Sequence, residues 1–162
     1  MAAQGLIELE SQIINRTTQL IAAGDVAAVR ALLDRSGAVG LRPATIAEIQ
    51  GRLDAEVARL ASVATGLDRA RELMSEGFLT APPGGNAVAE LREVQRLDPG
   101  NADADGLLTA AAERLASVAQ EAYDVGMAEE ARQYLELALT VTPDVSAWRE
   151  LRASWDKDAP SS

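Results

Sequence analysis

Residues 126–143 read Gly-Met-Ala-Glu-Glu-Ala-Arg-Gln-Tyr-Leu-Glu-Leu-Ala-Leu-Thr-Val-Thr-Pro. Good helix formers fill 127–141, and Gly126 on one side and Thr142-Pro143-Asp144 on the other stop the helix there. Glu129 and Glu130 suit its positive N-terminal end. Inside it Ala131 and Ala138 stand seven residues apart with Leu135 between them. Small residues at that spacing let a neighbouring helix approach closely, while the large one fills the groove between.

Working outward, the same pattern precedes another proline. Ala87, Leu91 and Val94 lead to Leu97-Asp98-Pro99-Gly100-Asn101 at the spacings by which Ala131, Leu135 and Ala138 lead to Pro143. Asn86 is positioned to cap a helix running to Leu97, and Asn101 to cap one that runs to about Val125. Between Gly77 and Gly85 two prolines and several glycines exclude helix and predict an extended loop. Upstream, Leu6, Leu9, Ile13, Ile14, Thr17, Leu20 and Ile21 recur at helical steps, so residues 6–23 read as an amphipathic helix after a lead-in of Met1–Gln4. Asp25 caps a second helix that ends in the Ser36-Gly37 to Pro43 stretch. Residues 44–76 form the longest helical pattern, opening on a Thr45-Ile46-Ala47-Glu48 capping box and open to a break at Gly51 or Gly66. A final helix carries Trp148, Leu151 and Trp155 on one side.

Residues 112–145 resemble a tetratricopeptide (TPR) repeat, a helix-turn-helix unit of about 34 residues. Gly126 falls at the inter-helix turn, Ala131 and Ala138 at the small positions, Leu135 at the large one and Pro143 at the end. The first helix departs from the pattern: Leu115, Val118, Ala119 and Ala122 stand where aromatics are usual at two places. The unit ending at Pro99 carries an insertion after Gly77, and the unit around Gly24 loses the small positions to Val29 and Ser36. The run from Gly77 to Ala87 followed by Leu97–Asn101 is also similar to a TPR-like module of bacterial envelope-associated proteins.

The resemblance implies an all-α fold of antiparallel helix-turn-helix repeats, a TPR-like short solenoid with a C-terminal capping helix. It implies one helical domain over 1–162: a degenerate pair at 6–43, a pair at 44–100 with an inserted loop at 78–85, the best unit at 101–145, a cap at 146–156 and a tail at 157–162. In such repeats the first helix of each pair lines a concave groove. That places Ile14, Thr18, Leu67, Arg71, Met74, Gln120 and Tyr123 there as partner-binding residues, with Ile21, Glu113 and Ala116 beside them. The groove lacks the Lys/Arg/Asn set that clamps a terminal carboxylate.

Composition narrows the chemistry. The 162 residues include no His and no Cys, so neither a Ser-His-Asp triad, a thiol nucleophile, a disulfide nor the usual zinc ligands can be assembled. The formal charge is −10, which opposes nucleic acid and anionic membranes. Residues 98–162 hold 13 acids against 5 basic residues, so most of that charge lies in the last two-fifths. Asn101-Ala-Asp103-Ala-Asp105-Gly106 mimics the start of a calcium loop, but Ala112 stands where the bidentate Glu belongs. An N-cap with acids in the first turn accounts for the same residues. Pro83-Gly84-Gly85-Asn86 lacks the Lys-Ser/Thr of a phosphate loop.

The expectation is therefore a non-enzymatic interaction module, without cofactor or metal, that holds a basic or apolar peptide or helix of a partner. The alternative is a structural, oligomerisation or spacer role within a larger bacterial envelope protein. The envelope resemblance favours a periplasmic location, with the cytoplasm otherwise.

Overall fold

The computed structural model describes residues 2–157. These residues form seven helices and no strand: α1 (Ala2–Ala22), α2 (Val26–Val39), α3 (Pro43–Glu76), α4 (Ala87–Leu97), α5 (Ala102–Asp124), α6 (Ala128–Val141) and α7 (Ser146–Lys157). The all-α class follows. The chain divides into two compact units, Met1–Ala61 and Ser62–Ser162, so α3 supplies residues to both.

Several boundaries differ from the sequence reading, each for a local reason. α1 already includes Ala2–Gln4, because Ala and Gln favour helix and Gly5 costs only about 1 kcal/mol relative to Ala. α2 continues through Ser36 and Gly37 to Val39: the buried Ser36 hydroxyl donates to the Leu32 carbonyl (2.6 Å), and the helix stops at Gly40, which is left-handed. α3 begins at Pro43 and runs unbroken through Gly51 and Gly66. Thr45 is therefore inside α3, not its cap; its hydroxyl turns to Glu10, while Glu48 pairs with Arg52 (2.7 Å). Lys157 belongs to α7, and the remainder of the expected tail, 158–162, lies outside the described residues.

In the first unit, Val29, Ile49 and Leu53 form the buried centre, with Ile13, Leu20, Ile21, Val26, Leu33 and Val57 around them. Thr17 is buried on the same face of α1 and satisfies its hydroxyl on the Ile13 carbonyl at 2.7 Å. One charge is buried with them. Glu10 is 2% exposed and accepts from the Arg42 backbone N–H (3.2 Å), from Arg42 Nε (2.8 Å), from Arg42 Nη2 and from Thr45 Oγ1 (3.4 Å). These bonds tie α1 to the α2–α3 connection and to the start of α3. The Arg42 hydrogen bonds outweigh the effect of burial and hold the Glu10 carboxyl below its ordinary pKa.

In the second unit, the core gathers Leu67, Ala70, Leu91, Val94, Leu108, Ala111, Ala112, Leu115, Ala138 and neighbours from α3, α4, α5 and α6. Gly66 allows a close approach in it: a Cβ there would stand 2.7 Å from Val94 Cγ2. α5 and α6 share the most extensive helix–helix contact. A second cluster of Ala119, Ala131 and Leu135 is closed by Trp155, with Trp148 and Leu151 packed beside it. The α7 tryptophans thus cover apolar surface of α5 and α6.

Three helix ends share one hydrogen-bond pattern. The N–H groups of Gly24, Gly77 and Gly126 donate to Ile21, Met74 and Tyr123, and those of the next residues, Asp25, Phe78 and Met127, to Leu20, Leu73 and Ala122. This is the Schellman turn, which needs a left-handed residue, and the three glycines have φ of 72°, 88° and 86°. The other ends also match: Asp98 (φ −141°, ψ 80°) closes α4 on the Val94 carbonyl, and Thr142 (φ −134°, ψ 88°) closes α6 on the Ala138 carbonyl.

Candidate functional site

On the face of α3 and α5 named by the groove reading, Arg71, Met74, Glu113, Ala116, Gln120 and Tyr123 belong to the second unit. Arg71 is exposed, bonded to Asp68 Oδ1 (3.0 Å) and 3.8 Å from Asp103 Oδ2 at the start of α5. Met74 is half-buried against the core, and Gln120 Nε2 donates to Asp124 Oδ1 at 2.8 Å. Acidic side chains therefore border the face, and its cation is engaged by two of them. Leu67 lies deeper, 7% exposed within the core, so it supports the face from beneath. Tyr123 is stacked on Trp155, rings 4.4 Å apart and 9° from parallel, which commits much of the ring to α7. Ile14 and Thr18 belong to the first unit. Ile14 is half-buried, and Thr18 accepts from Arg52 Nη1 (3.1 Å) while donating to the Ile14 carbonyl (2.9 Å).

The other sequence candidates resolve into capping and pairing. Asn101 Oδ1 accepts the Ala104 N–H (2.9 Å), Asp105 accepts from Gln95 (2.7 Å), and Asp103 faces Arg71. Asn86 Oδ1 caps α4 on the Ala89 N–H (2.9 Å), while its Nδ2 donates to the Pro82 carbonyl (2.8 Å). Glu129 and Glu130 lie in the first turn of α6. Among the described residues no group of three carboxylates could hold a metal ion, and no helix is long and apolar enough to cross a membrane.

Two features escape the periodicity argument. Glu10 stands on the apolar face of α1, three and seven residues before Ile13 and Thr17, and a charge at that position was the available signal. The second is a cleft of about 380 Å³ lined by Gly77, Leu79, Thr80, Ala81, Arg114, Leu115, Val118 and Tyr134. Its wall is the 77–86 loop, held by Ala87 N–H to Phe78 (2.8 Å) and Val88 N–H to Leu79 (3.0 Å), with the Leu79 side chain in the core.

No protein-family model, curated protein or solved structure matches the chain.

Proposed function

We propose that this chain is a non-enzymatic, TPR-like interaction module, a short run of antiparallel helix-turn-helix repeats closed by α7, that holds a peptide or helix of a partner on the α3/α5 face. The observation that carries the reading is a 44-residue correspondence in burial. Ala87, Leu91 and Val94 are 0%, 0% and 1% exposed, and Ala131, Leu135 and Ala138 are all at 0%. The matched glycine turns and the matched closures at Asp98 and Thr142 point the same way. Stacked units of this kind leave one face of their first helices to a ligand.

The border of Asp68, Asp103, Glu113 and Asp124 favours a basic or apolar partner segment over an acidic one. The experiment is selection of short random peptides on the immobilised chain, followed by affinity measurement against Glu113→Gln and Gln120→Ala. The expected peptides are rich in Lys, Arg and apolar residues and weaken about tenfold on the variants. Peptides indifferent to both variants would refute the groove. Tyr123 is a poor test position, because its removal also strips the stack beneath Trp155.

The structural alternative, self-association or spacing within a larger protein, draws on a different observation. In the first unit Leu6 and Ile7 of α1 and Val39 at the end of α2 are exposed apolar side chains.

A further inference from the structure

We infer that the cleft between the 77–86 loop, α5 and α6 is a second docking site, taking a partner segment in which a carboxylate side chain stands beside an apolar one. It lies away from the groove. At about 100° per residue, Arg114, Leu115 and Val118 project from the opposite side of α5 to Glu113, Ala116, Gln120 and Tyr123.

The cleft is built rather than incidental. Its loop is the insertion that breaks the correspondence between the two units, and Asn86 and the Phe78–Ala87 and Leu79–Val88 backbone bonds fix its ends. Leu79 and Leu115 are buried at its base, and Val118 and Tyr134 are exposed at its lip, each at 39%. The volume suits a pair of side chains rather than a whole helix.

Its polar side chains can all donate, and its one charged group, Arg114, can do nothing else. Arg114 Nη1 is anchored on the Met74 carbonyl at 2.7 Å, which orients the guanidinium and leaves its other N–H groups for a ligand. Among the described residues no carboxylate pairs with Arg114, and the hydroxyls of Thr80 and Tyr134 make no hydrogen bond within the chain. A guanidinium and two hydroxyls around an apolar base complement a carboxylate next to a Leu- or Val-sized group. They leave an ammonium without an acceptor of matching charge.

The test is a binding assay of capped short peptides with a central Leu-Glu-Leu, Leu-Gln-Leu or Leu-Lys-Leu on the full chain, with succinate as a free carboxylate. The Glu peptide is expected to bind about tenfold more tightly than the Gln peptide, the Lys peptide to fail, and succinate alone to bind negligibly. Arg114→Gln and the lip variant Val118→Glu should each abolish the preference while leaving the thermal melt in place. Equal binding of the three peptides, binding of succinate without peptide, or retention of the Glu peptide by both variants would overturn it. Glu113→Gln separates this site from the groove: it should weaken the basic peptides of the groove and leave the Glu-peptide preference unchanged, so a silent Arg114→Gln with groove peptides still bound would overturn the cleft and leave the groove reading standing.

Discussion

Gly66 of α3 faces Val94 of α4 so closely that a Cβ on Gly66 would come within 2.7 Å of Val94 Cγ2. Val94 is β-branched and buried, so it has little room to turn aside. The glycine that weakens a long helix is the condition for packing α4 against it.

Gly66→Ala should therefore destabilise the second unit by about 1–3 kcal/mol despite the better helix propensity of alanine. Gly51 is the control: it lies in the same helix, a Cβ there would meet nothing within 4 Å, and Gly51→Ala should stabilise the protein by about 0.5–1 kcal/mol. Urea denaturation followed by far-UV circular dichroism reads both. Equal effects of the two substitutions would contradict the contact.

Trp155 closes the cluster of Ala119, Ala131 and Leu135 and is 3% exposed. Trp155→Ala should cost about 3–5 kcal/mol and loosen α7, since it removes a buried aromatic and the stack on Tyr123. Amide hydrogen exchange should show α7 losing protection while α1 and α2 keep theirs. Unchanged protection in α7 would refute its role as a cover.

Glu10 predicts an acid response in the first unit. Its folded pKa is lowered by the Arg42 hydrogen bonds, so its contribution to stability is fully present above the pKa of the unfolded chain and disappears as pH falls through the lowered folded value. Melting temperature should drop across the acidic carboxylate range, and Glu10→Gln should lower it at neutral pH while flattening that drop. An E10Q protein with wild-type melting and unchanged acid dependence would rule this out.

Helix positions and caps were legible in the sequence because they depend on neighbours in the chain. Asn86 and Asn101 cap α4 and α5 as their side chains and spacing required, and Ala131, Leu135 and Ala138 are buried as their period indicated. Less was legible where a distant residue decides. Thr45 has the local form of a cap, but Pro43 starts α3 earlier and Glu10, 35 residues away, takes its hydroxyl. Gly66 looks like a breaking point until Val94 is placed over it. For the candidate groove, sequence located Arg71 on exposed and Gln120 on half-buried helix surface but could not show that Leu67 sinks into the core or that Trp155 stacks on Tyr123. The cleft at Arg114 was invisible, because it requires a loop, α5 and α6 together.

The most direct test of the interaction module is a backbone amide spectrum of the labelled chain titrated with its best basic or apolar selected peptide. The predicted result is saturable shifts at Arg71, Met74, Glu113, Ala116, Gln120 and Tyr123, weakened in Glu113→Gln. Absence of any selected peptide, or shifts confined to residues outside that α3/α5 face, would contradict it.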